Sequence, residues 1–407
     1  MSTETEPLAF NPFDPVYRAD PYPFFERLRT EAPTGRVPGV DVWYVTRYDD
    51  CEAILRHPDA GSDSTKSPVY QRLVENGVLR LPQTITGRPS FLFLDPPDHT
   101  RLRKLVSKAF TPKVVERMRP RIAEVADELL DEVMPNGRME LVWDIAYPLV
   151  FRVMSDMIGV PRADQAKFLA WSKDMSASMD MRLDAPPDAI AQQEKTMREG
   201  KDYLTALINE RRRQPCDDLI SELIQVEEEG GRLSQDELMS TTVLLVGAGT
   251  ETTVHLICNG IHALLRHPDQ LELLRRDPSL IAPAIDESLR WDPPTQLTQR
   301  MALTDLKVRD AVIPAGCPVV LVIAAANRDA ERWPDPERFD VTRPTLPNLS
   351  FSLGRHFCLG PALARAEGQI TIGKIIERCP ELRIADEGAR YRDTFVLRCL
   401  DSLPLEF

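Results

Sequence analysis

Phe351-Ser-Leu-Gly-Arg-His-Phe-Cys-Leu-Gly360 sets one cysteine, Cys358, between Gly354 and Gly360, and an amphipathic run from Pro361 to Cys379 follows. The stretch reads as a loop entering a helix, with proline in the first turn, where its missing N–H costs nothing. Glycine has no Cβ, so it permits positive φ and lets backbone lie close against a flat group. A sulfur just ahead of a helix start sits near unpaired amide donors and the positive end of the macrodipole, and both favour thiolate over thiol. A metal ligand requires that form, and amide hydrogen bonds to the sulfur would tune its electron donation. A buried structural cysteine is the ordinary alternative for a lone Cys. It is the reading for Cys51, Cys216, Cys258, Cys317, Cys379 and Cys399, which form no C-x-x-C pair and suggest neither a zinc site nor a disulfide framework.

Upstream of the loop, prolines 334, 336, 344 and 347 predict a meander with little regular structure between Asn327 and Ser350. Before it, Leu306 to Ile313 and Pro318 to Ile323 read as two strands of a hairpin joined by Pro314-Ala315-Gly316. Long helical periodicities dominate from Arg101 to Arg290, with capping candidates at Thr111-Pro112 and Ser234. Strand-like alternation recurs around Val42 to Val45. The expected fold class is mainly α with a smaller β-rich lobe, as a single domain over 1–407, with β-rich portions at about 37–47, 305–323 and 380–407.

From Leu238 to Leu265 the sequence reads as one long apolar helix interrupted by Gly247-Ala-Gly-Thr-Glu-Thr-Thr253. Two interior glycines cost about 1 kcal/mol each relative to alanine, and a buried carboxylate costs more unless hydrogen-bonded, so the cluster points to a function. At helical spacing Leu244, Ala248, Glu251, Thr252 and His255 are expected on one face. A carboxylate and a hydroxyl side by side make a reasonable proton relay. Thr hydroxyls that merely bond back to carbonyls one turn earlier are the alternative.

The pattern F-x-x-G-x-H-x-C-x-G resembles the haem-binding loop of the cytochrome P450 superfamily, the haem-thiolate monooxygenases, in its soluble bacterial branch, and the resemblance spans nearly the whole chain. Ser352 stands where many bacterial members carry a second Gly, and His356 where many eukaryotic members carry Arg. The resemblance implies haem b (iron protoporphyrin IX) between a long distal helix and a proximal cysteine loop, with Cys358 as the axial iron ligand and Gly354, Gly360 and Ala248 against the macrocycle. It assigns proton delivery to Glu251 and Thr252, and propionate contacts to His99, Arg103, Arg300 and His356. Glu287-x-x-Arg290, with Arg338 of Pro336-Glu-Arg-Phe339 as third member, would hold the meander. The pocket would be lined by Leu244, Ala248, Thr295, Leu297, Phe395 and Val396, with the Ser67 to Phe93 loop and the Met175 to Leu183 region.

The implied reaction inserts one atom of O2 into a lipophilic molecule, by hydroxylation or epoxidation, as in secondary metabolism. A macrolide or other polyketide, a terpenoid, a steroid or a fatty acid would suit an apolar pocket. The chain runs to Phe407 with no flavin or iron–sulfur module, so electrons are expected from NAD(P)H through a ferredoxin and its reductase. Arg101, Lys104, Lys108, Arg355 and Arg365 would steer that acidic carrier. A peroxide-driven peroxygenase would share the loop but lack the acid–alcohol pair. A non-catalytic haem sensor would need no proton route, and a haem-free interaction protein would be colourless.

Composition narrows the field further. A net charge of −13 disfavours nucleic-acid binding, which needs a basic face. Hydrophobic residues at 43% and charged residues at 28% fit a packed globular chain. No signal peptide is visible, and the most apolar stretch, Val243 to Ile257, is broken by Glu251 and His255. A cytoplasmic monomer without a membrane anchor is the expectation.

Overall fold

The computed structural model describes residues 10, 20–76, 87–169, 171, 187–228, 231, 233–344, 347–394 and 396–407. Six helices position the site: α1 (Asp98–Ala109), α2 (Pro112–Val133), α3 (Tyr147–Ile158), α4 (Gln235–Arg266), α5 (Ile281–Trp291) and α6 (Pro361–Arg378). Their starts follow local chemistry. Thr111 caps α2 by accepting from the Val114 amide, with Pro112 in the first turn. Ser234 and Glu237 form a reciprocal capping box at α4, the two bonds measuring 3.2 and 2.8 Å.

Helix α4 is the axis of the molecule and packs on α3, α5 and α6. It is long and apolar enough by composition to cross a membrane, but 67% of its most apolar window is buried inside the protein. Its amino-terminal part, with Leu238 and Val246, joins one apolar cluster with α1 and the end of α3. Its carboxyl-terminal part, from Val254 to Leu264, joins a second with α2, α5 and α6. The polar stretch Gly247 to Thr253 therefore falls between two apolar cores, which fix it from both ends.

The β-rich part centres on a five-stranded sheet of β1 (Thr34–Arg36), β2 (Trp43–Val45), β3 (Ala60–Gly61), β4 (Leu297–Ala302) and β5 (Pro318–Val322), in spatial order β1-β2-β5-β4-β3. Only β2 and β5 pair in parallel. The expected hairpin is drawn differently. Leu306–Val308 folds on Ala311–Ile313 through Arg309, at φ +50°, while β5 pairs with β4, aligning Val319 with Arg300. The Gly316 turn accounts for this, because its amide bonds the Ala302 carbonyl at 2.7 Å and so returns the chain to β4. At the carboxyl end, β6 (Arg390–Tyr391) pairs antiparallel with β7 (Leu400–Ser402).

Among the described residues the meander holds no helix or strand between Asn327 and Leu353, and a buried ionic knot takes their place. Arg290 forks onto Glu287 at 2.7 and 2.8 Å, both side chains 2% exposed. The third member is Arg343, whose Nε lies 3.2 Å from Glu287, and not Arg338. Arg338 is exposed and contributes only its carbonyl, which accepts from Arg290 and Arg343. The backbone turns at 335–338 and 340–343, and the second turn carries the next arginine inward. Arg338→Ala should therefore change stability by no more than about 0.5 kcal/mol. Arg343→Ala should cost several-fold more, and paired denaturation curves of the two variants separate the assignments.

Candidate functional site

The cysteine loop lies between the meander and α6. The Cys358 amide bonds the Phe351 carbonyl at 2.8 Å, which folds the loop back on itself, and the Gly360 amide points at the Cys358 sulfur from 3.3 Å. Burial pushes the thiol upward, while the Gly360 N–H, Arg103 and Arg365 pull the other way. Gly354 sits at φ +68°, and an added Cβ would collide with the Leu55 carbonyl oxygen, so glycine is required there. Gly360 differs from expectation: its φ of −104° suits any residue, and a Cβ would meet only the Phe110 ring at ordinary distance. Ser352, the non-glycine departure, stands at φ +59°, and its hydroxyl lies 3.3 Å from Arg300 Nη2.

Three of the four residues expected to meet carboxylates gather beside this loop. The rings of His99, from α1, and His356 lie 4.2 Å apart between centroids. Arg300, from β4, is 5% exposed. Neither ring nitrogen of His99, nor Nε2 of His356, has a hydrogen-bond partner, although all are buried. Burial, Arg300 and His99 push His356 down to about 3, and burial with Arg355 lowers Arg300 to about 10. The nearby carboxylate, Asp95, is engaged by the Ser62 amide and Lys66. Buried imidazole nitrogens without partners, beside a buried guanidinium, cost free energy, so the cluster fits a group bearing carboxylates. Arg103 departs from the expectation: its Nη2 donates to the carbonyls of Phe357 and Cys358 at 2.6 and 3.3 Å and braces the loop.

On α4 the residues expected on one face differ in burial. Leu244, Ala248 and Thr252, at i, i+4 and i+8, are half-exposed, as are Val243, Leu245 and Gly249, whereas Glu251 and His255 are buried. At about 100° per residue the five lie within roughly 100° of arc, with Glu251 and His255 closer in direction to Leu244 than Thr252 is, so burial and not direction separates them. The hydroxyls of Thr242, Thr250 and Thr252 bond back to carbonyls one turn earlier, Thr252 to Ala248 at 2.8 Å. Glu251 is gripped by three groups: the Tyr147 hydroxyl from α3, His255 Nε2 at 3.1 Å, and Arg392 Nη1 from β6 and the turn after it at 2.6 Å. Burial pushes its carboxyl upward, but His255, Arg392 and Tyr147 outweigh it and hold the group at about 2.

Sequence reasoning missed Tyr147 and Arg392, which stand 104 and 141 residues from Glu251. The available signal was the spacing of Glu251, His255, Asn259 and His262 on an apolar helix. Each reaches the carboxyl-terminal hairpin or its flanks, at Arg392, the Leu400 amide, the Arg398 carbonyl and Tyr391 respectively.

Cys399 lies by Glu251 and His255, with one ligating atom of each within 4.8 Å of the others. The Leu400 amide donates to His255 Nδ1, so Nε2 carries the proton that meets Glu251, and the imidazole keeps no lone pair for a metal. That cluster is a closed hydrogen-bond network.

The pocket residues are partly assembled. Gln296 bonds the Val396 carbonyl at 2.9 Å and Thr295 bridges Leu397, which brings Thr295 and Val396 together. Phe395, Met175 to Leu183 and residues 77–86 of the Ser67 to Phe93 loop lie outside the described residues. Of the expected docking cations, Arg101 pairs with Glu237 and Arg365 with Asp286, while Lys104 and Lys108 are exposed on α1.

Comparison with known proteins agrees with this geometry. The family model "Cytochrome P450" matches residues 44–383. The chain is 40% identical over 400 residues to cytochrome P450 107B1 of Saccharopolyspora erythraea, covering 97% of this chain and 96% of that one. It is 40% identical over 402 residues to the vitamin D(3) 25-hydroxylase of Pseudonocardia autotrophica, covering 97% and 95%. Among solved structures, P450BioI in complex with an acyl carrier protein bearing hexadec-9Z-enoic acid superposes with a TM-score of 0.85 at 38% identity, covering 96% and 99%.

Proposed function

The chain belongs to the cytochrome P450 family of haem-thiolate monooxygenases, and on that premise we propose that Cys358 is the residue that would hold the haem iron of an enzyme that hydroxylates or epoxidises a lipophilic small molecule. The observation that carries the assignment of the site is the buried cluster of His99, Arg300 and His356, short of an anion, beside the cysteine loop. When bound, the haem supplies the redox chemistry that activates dioxygen. His99, Arg300 and His356 would hold its carboxylates. The Gly360 amide moderates the Cys358 sulfur, and Arg103 fixes the loop carbonyls.

Leu244 and Ala248 keep the distal side apolar, and Thr252 offers its hydroxyl there once its bond to Ala248 opens. Glu251, the residue before Thr252 on α4, would supply the proton. The relatives act on or carry molecules as unlike as vitamin D(3) and a hexadecenoyl chain at similar identity, so similarity supports an apolar substrate and does not single one out. The exposed Lys104 and Lys108, with Phe357 40% exposed beside the loop, form the face for an acidic ferredoxin reduced by NAD(P)H through its reductase. A single cytoplasmic domain acting as a monomer completes the reading.

The experiment is a screen of macrolides, steroids, terpenoids and fatty acids with ferredoxin, reductase and isotopically heavy dioxygen. One heavy atom in a product supports the reading. Label found only with added peroxide favours a peroxygenase. With a coupled substrate in hand, Thr252→Ala should divert most reducing equivalents to hydrogen peroxide at nearly unchanged NADPH consumption, and unchanged product per NADPH would remove Thr252 from proton delivery.

A further inference from the structure

The grip on Glu251 poses a problem for its proposed role. A proton carrier works best when it gains and loses protons near the working pH. A carboxylate held by a guanidinium, an imidazole N–H and a phenol is locked in its ionised form. His255 and Tyr147 belong to packed helices and are buried. Arg392 is different, because its side chain is 24% exposed and leans over the rings of Trp143 and Tyr147 at the surface.

A second acceptor stands within reach of it. Asp401, on β7, is 48% exposed, and its Oδ1 lies 4.0 Å from Arg392 Nε. Its other oxygen pairs with Arg390 at 3.3 Å. Arg392 thus lies between an inner and an outer carboxylate.

We propose that Arg392 is a positioning residue that exchanges between Glu251 and Asp401, and that Glu251 takes up a proton from solvent and passes it toward Thr252 only while Arg392 is paired outside. The Glu251 oxygen accepts the proton, releases it on the distal side and returns to Arg392 as the carboxylate, so charge and protons balance over the cycle. The inference rests on the proton-handling role of Glu251 and adds the residues that set when that role is available. Arg390 competes for Asp401 and tunes the exchange.

The test uses the haem-loaded full chain with NADPH, a plant-type ferredoxin and its reductase, without added substrate, following oxygen consumption in light and heavy water. Asp401→Asn removes the outer acceptor and should slow consumption about two- to fivefold, the worth of an exposed ion pair, with a larger solvent isotope effect. Arg390→Ala frees Asp401 and should act in the opposite direction. Arg392→Lys should preserve more of the native behaviour than Arg392→Gln. Asp401→Asn and Arg390→Ala both matching the native rate and isotope effect would overturn the exchange. Glu251→Gln separates the two layers: if it is slow while the surface variants are native, only the exchange fails, and if it too is native, the role of Glu251 fails with it.

Discussion

Glu287→Ala should leave a protein that unfolds about 3–5 kcal/mol more easily, the cost of breaking a buried ion pair from one side. Glu287 is 3% exposed, and its two oxygens serve the Arg290 fork, Arg343 Nε and the Asp340 amide. Removing the carboxylate strands two guanidiniums in the interior. Arg290 also donates to the carbonyls of Asn327, Pro336 and Arg338, so the loss spreads along the meander. Against a typical total stability of about 5–15 kcal/mol, such a loss is a large fraction. The meander ends at Ser350, which bonds the Leu289 carbonyl at 2.6 Å just ahead of the cysteine loop. Haem retention during purification should fall with stability. Chemical denaturation checks the first effect and haem absorbance per protein the second; a native midpoint would contradict the account of the knot.

Cys358→Ala should abolish turnover while most of the fold persists. The side chain is half-buried and its sulfur accepts a hydrogen bond from the Gly360 amide at 3.3 Å. The loop is held by other bonds, from the Cys358 amide to Phe351 and from Arg103 to the Phe357 carbonyl, and alanine keeps all of them. A structural cysteine such as Cys258, fully buried on α4, should show the reverse pattern, with lost stability and retained chemistry. Product formation and thermal melting of the two variants distinguish the cases.

What was legible in the sequence was mostly local. The Ser234 capping box, the Gly354 turn and the helix after Cys358 each depend on residues within a few positions, and each appears where the sequence put it. The cluster of His99, Arg300 and His356 was reached only through resemblance, since β4, α1 and the loop meet across more than 200 residues. Arg338 was chosen over Arg343 because a motif names residue types and not which of two turns faces inward. The burial along the face of α4 was not legible for a related reason. Helical spacing places residues on a face but does not say which of them a distant segment covers, and Tyr147 and Arg392 cover Glu251. The hairpin at 306–323 failed because the sequence shows two strands and a turn but not β4, the competing partner.

Two cysteines lie near polar, chemically active surroundings, Cys358 in the loop and Cys399 beside Glu251 and His255, and the central claim assigns the haem to the first. The absorption spectrum of the reduced carbon monoxide complex tests that assignment most directly. The native protein and Cys399→Ala should both show the strongly red-shifted Soret band of thiolate ligation, and Cys358→Ala should lose it. A red-shifted band that survives in Cys358→Ala, or that disappears in Cys399→Ala, would contradict the account.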